Sequence, residues 1–225
     1  MDGIFTGFEV WEDMHRNYIR SGCDRLKKMS KNLRRLVFYY IFVFVAWTIF
    51  RYFSRLPEVI EELWFKPVLW LVPLFWWQIS DGEHRISLFK GDISRTLFWG
   101  LGIGLAYYSV VKLVTRSSWF ELDFDRFGIG LTIAVVEQVT FAGIALPRLM
   151  REFKKEGVSL FLMALMFSLI RLPINVFVFK LPLLTLLGAF LLAFFVGLVN
   201  GFARLRAKNT LAPVMAHFFY LQAIL

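Results

Sequence analysis

Three ionisable side chains lie within apolar stretches long enough to cross a membrane. Glu137 is the only one of 17 acidic residues inside a predicted span, Arg171 is the only base deep in one, and His217 is the only histidine of three there. Charged groups at bilayer depth are costly and usually face the interior of a helix bundle, where they serve function. A carboxylate, a guanidinium and an imidazole together can form an ion pair, transfer a proton or stabilise an oxyanion.

The three side chains are predicted to lie at similar depths. At 1.5 Å per residue, Glu137, Arg171 and His217 lie roughly 15, 20 and 12 Å from the inner ends of their predicted helices. Each also has a purely structural interpretation, as a hydrogen-bonded carboxyl, a packing ion-pair partner or a satisfied core histidine. Three such residues at similar depth, on three of the last four spans, favour a shared site.

The elements that must position these residues are predicted to be membrane helices. The chain is 58% hydrophobic and 19% charged, whereas soluble domains are about 45–50% apolar and about 25% charged. Most apolar segments approach the roughly 20 residues that cross a bilayer as a helix. We therefore predict an all-α polytopic membrane protein with about seven transmembrane helices and a catalytic-type core in the last four. The segments lie at about residues 36–53, 67–79, 96–115, 128–147, 158–179, 182–203 and 209–225.

Three regions follow from this pattern. Residues 1–35 are predicted to be a basic amphipathic cytoplasmic segment that lies on the membrane surface. Residues 36–95 hold two N-terminal membrane segments, of which 67–79 is short and contains Pro67 and Pro73. Residues 96–225 form the membrane core that carries Glu137, Arg171 and His217.

The placement of Lys and Arg predicts the orientation. With seven spans and an inner N-terminus, 18 basic residues lie inside and 7 outside, the latter including Arg51 and Lys66 in the first outer loop. If the second segment did not cross, the split would become 12 to 13 and the positive-inside bias would vanish. We therefore expect an integral membrane protein with a cytoplasmic N-terminus and an outer C-terminus. The same placement explains the net charge of +9 without a nucleic-acid partner.

Three short motifs resemble those of the CPBP intramembrane proteases, the group of the type II CAAX prenyl endopeptidases and bacteriocin-processing enzymes. Residues 136–143, VEQVTFAG, resemble the motif EExxFRG, and residues 167–171, FSLIR, resemble FxxxH. Residues 211–217, LAPVMAH, resemble the approach to HxxxN. The resemblance covers roughly residues 95–225, with the three motifs in order on successive predicted helices.

The resemblance implies an endopeptidase that hydrolyses peptide bonds of membrane-associated or prenylated peptides. It implies that Glu137 is the general base for water and that His217 donates a proton or helps to hold the oxyanion, with Arg171 at the second-motif position. Gln138, Phe141 and Phe167 are the implied supporting residues. It also fits a prokaryotic plasma membrane as the location.

Four of the six polar motif positions depart from the family pattern. Gln138 stands in place of the second Glu, Ala142 in place of Arg, Arg171 in place of His, and Leu221 in place of Asn. One histidine and one carboxylate are too few ligands for zinc, and a nearby guanidinium repels the ion. We therefore expect no metal and no other cofactor.

The replacement of His by Arg171 leads to our main hypothesis. A guanidinium stays protonated, so it cannot accept a proton, and beside Glu137 it would hold the carboxylate ionised. We predict a buried Glu137–Arg171 ion pair in a catalytically impaired, protease-like fold. The alternatives are an active divergent glutamate-dependent protease, in which Arg171 binds the oxyanion, and a non-catalytic membrane scaffold or transporter. The lipid bilayer and a membrane-associated or lipidated peptide are the expected partners.

Overall fold

A computed structural model describes residues 30–54, 56–80, 86–116 and 124–224. The predicted amphipathic segment 1–35 therefore lies outside the described residues except for its last six. Every regular element in the described ranges is helical, and they form seven helices. The prediction of an all-α polytopic membrane fold is confirmed.

The first two helices contribute buried side chains, among them Trp47 and Trp70, to the same hydrophobic cluster as the helices that follow. Helix α1, Lys31–Phe53, begins at Ser30, whose hydroxyl accepts a hydrogen bond from the Leu33 amide at 3.2 Å. Helix α2 runs through Glu58–Ile60, a π-helical turn at Glu61–Phe65, and Lys66–Ser80. The short predicted segment 67–79 is thus part of a longer helix, with Pro73 inside it.

Five further helices follow in the described part of the chain. Helix α3 is Ile93–Thr115 and begins at Asp92, whose carboxylate accepts from the Ser94 amide at 2.9 Å. Helix α4 comprises Phe124–Gln138, a π-helical segment Val139–Ala145, and Leu146–Phe153. Helix α5 is Glu156–Leu169 and is followed by a π-helical turn Ile174–Val178. Helices α6 and α7 are Leu183–Ala207 and Leu211–Ile224.

Helix α4 is the centre of the bundle. Of the five described helices long and apolar enough to cross a membrane, the others are 17–33% buried across the most apolar stretch, whereas α4 is 83% buried. The four exposed ones are α1, α3, α5 with its π-helical extension, and α6. The outward apolar side chains of these four helices suit contact with lipid. Helix α4 is shielded by its neighbours and can therefore hold charged side chains that do not contact lipid.

Two of the seven helices differ from an ordinary membrane span. Helix α7 is apolar but has 14 residues, which reach about 21 Å at 1.5 Å per residue. Helix α2 carries Glu61, Glu62 and Lys66 in its first half, and all three side chains are buried. The charged half of α2 faces the core of the protein, and this determines the site described next.

Candidate active site

The π-helical segment of α4 begins just after the first predicted site residue. Glu137 and Gln138 end the α-helical part, and residues Val139–Ala145 continue with a wider turn whose side chains are all buried. Such wide turns in helices are frequent at functional sites. Glu137 is 3% exposed, so its charge needs partners within the protein.

The structure brings together the three residues that the sequence predicted would share a site. One Nη of Arg171 lies 2.5 Å from Oε2 of Glu137, and Nε2 of His217 lies 3.0 Å from the same oxygen. The Glu137–Arg171 contact is the ion pair predicted from the sequence. Arg171 is the most accessible of the three, with a quarter of its side chain exposed.

The hydrogen bonds of His217 define its tautomer. A carboxylate oxygen can only accept, so Nε2 must donate to Glu137. With the Asn200 amide nitrogen as donor at 3.3 Å, Nδ1 accepts, and this arrangement corresponds to the neutral imidazole with its hydrogen on Nε2. One Nη of Arg171 also lies 3.3 Å from Nε2. Both side chains are fully buried, so the imidazole is fixed on both sides.

The predicted supporting residues pack around this centre. The Phe167 ring lies edge-on to His217 at 5.6 Å between centroids, and the Arg171 guanidinium lies 5.1 Å from its centre. The Phe141 ring packs edge-on against Phe167 at 5.4 Å. Gln138 is buried, and its Nε2 has no hydrogen-bond partner in the described part of the chain.

Lys66 also contacts the carboxylate, which the sequence analysis did not predict. Its ammonium lies 3.0 Å from Oε1 of Glu137 and 2.8 Å from Oε2 of Glu62. Glu62 in turn pairs with Arg51 at 3.0 Å, and Arg51 also pairs with Glu61. Arg51 and Lys66, which the sequence analysis counted with the first outer loop, lie in helices α1 and α2, and both side chains are buried in this cluster.

Two signals could have identified these residues. Glu62 and Lys66 have the i, i+4 spacing of a helical ion pair, and only apolar residues lie between them in the sequence. Asn200 is a lone amide within an apolar helix, and such residues commonly bond across helices. Neither signal names the partner, which depends on how the helices pack.

A cavity of about 290 Å³ adjoins the carboxylate. Glu62, Lys66, Glu137 and Arg171 are among the residues that line it, together with apolar side chains of α6. Among these, Leu192 is 54% exposed, so the cavity wall reaches the lipid-facing surface. Because one water needs only about 10–15 Å³ of cavity volume measured in the same way, the cavity has room for several waters or for part of a ligand.

The donor set around Glu137 does not fit a zinc ion. Both oxygens of Glu137 already accept from cationic groups, and a divalent cation there would meet Lys66 and Arg171. Among the described residues, no three His, Cys, Asp or Glu side chains come together as a metal site.

Comparison with known proteins covers the part of the chain that holds this site. Residues 124–221 match the family model described as Type II CAAX prenyl endopeptidase Rce1-like. These residues are therefore similar to CAAX-type intramembrane proteases. No curated protein and no solved structure matches the chain. The CAAX-protease-like core contains Glu137, Arg171 and His217, whereas Lys66 lies outside the matched residues.

The sequence resemblance is thereby confirmed, and with the five apolar helices it identifies an integral membrane protein. The matched region runs from the beginning of α4 nearly to the end of α7. Helices α1 to α3 lie outside the matched residues. The charged residues of α1 and α2 therefore contact the matched region from helices that the family model does not cover.

Proposed function

We propose that this chain is a catalytically impaired member of the CAAX-type intramembrane proteases that keeps the substrate cavity. The observation that carries the proposal is the double pairing of Glu137. Arg171 lies at one carboxylate oxygen and Lys66 at the other. Two adjacent positive charges stabilise the ionised form of a carboxylate and make it a weaker acceptor for a proton from water.

The other groups of the hydrolytic mechanism are also changed. Arg171 cannot serve as a base, and Leu221, at the position of the motif Asn, has no polar atom to donate to an oxyanion. His217 retains a hydrogen on Nε2, but that hydrogen is directed to Glu137. The residues that remain support an ion-pair network better than they support the activation of water.

The cavity supports a binding role. Its lining includes charged side chains such as Arg171 and apolar side chains of α6, which suits a peptide segment or lipidated peptide that enters from the bilayer. Such a ligand would place polar backbone groups near the charges and apolar groups along the helix. The protein would then act as a membrane scaffold that holds a peptide without cutting it.

The test is hydrolysis of an internally quenched farnesylated CAAX peptide by the full chain in proteoliposomes. We expect the wild type, Glu137→Gln and the control Glu156→Gln to give the same background rate. Glu156 is an exposed carboxylate at the beginning of α5. Its variant makes the same Glu-to-Gln change as Glu137→Gln, but at a position away from the site. Hydrolysis that Glu137→Gln abolishes and Glu156→Gln preserves would contradict the proposal.

An active divergent protease is the second candidate. The Glu137–His217 contact beside a cavity with room for several waters favours it. In that mechanism Glu137 would take a proton from a water in the cavity, and the exposed part of Arg171 would stabilise the oxyanion. The peptide assay separates the two candidates with Arg171→Lys. A working protease would lose part of its rate with this variant, whereas an impaired one has no rate to lose.

We further propose a prokaryotic plasma membrane as the location, with the N-terminus in the cytoplasm. The bias of basic residues toward one side supports this orientation. Cys23, the only cysteine of the chain, provides a test without mutation. A membrane-impermeant maleimide should label it in inside-out vesicles and not in intact cells, and the reverse pattern would contradict the orientation.

A further inference from the structure

Lys66 is the one buried lysine among the described residues that reaches the carboxylate of the core. Its side chain is 5% exposed, and its ammonium lies within 3.0 Å of carboxylates from two different helices, α2 and α4. The rings of Trp47 and Trp70 lie 5.6 and 5.4 Å from the same nitrogen. The ammonium is therefore enclosed by two anions and two aromatic faces.

The π-helical turn of α2 explains how one short segment serves both neighbours. It spans Glu61–Phe65, and Lys66 follows it directly. Glu62 on this turn pairs with Arg51 on α1, while Lys66 pairs with Glu137 on α4. The turn thus connects the charges of α1 to the protease-like core.

The charges of this network are balanced. Arg51, Lys66 and Arg171 carry three positive charges, and the described carboxylates that contact them, Glu61, Glu62 and Glu137, carry three negative ones. Loss of Lys66 alone would leave one negative charge in excess in a site of low dielectric. An unpaired buried carboxylate relieves such an excess by taking up a proton.

We propose that Lys66 is a positioning residue for Glu137, which it holds by Oε1 and keeps ionised together with Arg171 on Oε2. The role belongs to a helix outside the family-matched residues and makes the core dependent on α2. The inference deepens the proposed function and rests on it, because both require a permanently ionised Glu137.

The test is labelling by dicyclohexylcarbodiimide, an apolar reagent that adds to protonated carboxyl groups and forms a stable acylurea. The full chain in proteoliposomes at neutral pH is treated, and the mass of the peptide that contains Glu137 is measured. We expect no adduct in the wild type or in Lys66→Arg, and an adduct in Lys66→Met. A purely structural role for Lys66 would not separate the two variants in this way.

The control is Lys112→Met. Lys112 is also buried, but it lies on α3, and its ammonium is 5.6 Å from the Tyr108 ring. Its removal should leave Glu137 unlabelled. An adduct in Lys112→Met equal to that in Lys66→Met would show that loss of any buried lysine loosens the fold, and would overturn the inference.

The outcomes distinguish the two proposals. An adduct at Glu137 in the wild type would contradict the proposed function, because the carboxylate would not be held ionised. An unlabelled wild type with an unlabelled Lys66→Met would leave the proposed function intact and overturn the role of Lys66. Labelling confined to Lys66→Met supports both.

A second measurement applies if Lys66→Met folds poorly. The double variant Lys66→Met/Glu137→Gln removes one charge of each sign and restores the balance of the network. We expect its folded yield in membranes to exceed that of Lys66→Met several-fold. A double variant with a yield as low as the single one would show that Lys66 acts through another partner, and would overturn the inference.

Discussion

Replacement of Arg171 by Leu removes the shortest of the three described contacts to the Glu137 carboxylate. The guanidinium lies 2.5 Å from a carboxylate whose side chain is 4% exposed. Breaking a fully buried pair costs about 3–5 kcal/mol, and the cost falls when one partner reaches solvent. Because Arg171 is a quarter exposed and Glu137 keeps Lys66 and His217, we expect a loss of about 2–3 kcal/mol.

The assay is thermal unfolding of the full chain in detergent, followed by tryptophan fluorescence at one scan rate. For a chain of this size a loss of that order lowers the melting temperature by roughly 4–12 °C. The control is Arg206→Leu, because Arg206 is exposed on α6 and its guanidinium is 4.8 Å from the Phe202 ring. That variant should stay close to the wild type.

The double variant Arg171→Leu/Glu137→Gln identifies the cause. If the loss comes from a stranded carboxylate, neutralising Glu137 should recover most of it. A melting temperature of Arg171→Leu equal to that of the wild type would refute the ion-pair reasoning. An equal loss in the single and double variants would place the effect of Arg171 in packing against Phe167 instead.

Three further predictions concern packing, a hydrogen bond and metal. Gly104→Ala should destabilise the fold by about 1–3 kcal/mol, because the added Cβ would lie 2.7 Å from a ring carbon of Phe219 on α7. Gly102→Ala is the control, because an added Cβ there has no described atom within 4 Å. Equal melting temperatures of the two variants would contradict this prediction. Asn200→Ala should cost about 1–3 kcal/mol, since it leaves Nδ1 of His217 buried without a donor, and thermal unfolding with no loss would exclude that bond. Addition of EDTA should leave the melting temperature unchanged, and a decrease that zinc reverses would contradict the absence of a metal.

The fold was largely predictable because hydrophobic length dominates in a membrane chain. The segment predicted at 128–147 lies within α4, and the segment at 96–115 lies within α3. The π-helical segment after Gln138 was not predictable, since its wider turn depends on how surrounding helices pack. The predicted segment 67–79 was shorter than helix α2, which begins at Glu58, because charged residues such as those at the beginning of α2 usually mark a loop.

The site was predictable only in part. Glu137, Arg171 and His217 could be grouped because each is a rare charge at similar depth, and the structure brings them within hydrogen-bond distance of one carboxylate. Lys66 could not be assigned, because a lysine near the end of an apolar run normally extends toward water. Its burial depends on carboxylates from two helices, which no local pattern in the sequence reveals.

Whether Glu137 serves peptide hydrolysis can be measured without a known substrate. New protein termini can be measured across all proteins by mass spectrometry in cells that produce either the wild type or Glu137→Gln at equal levels. We predict the same set of termini in both. A terminus that appears reproducibly with the wild type and is absent with Glu137→Gln would contradict this prediction and identify a substrate.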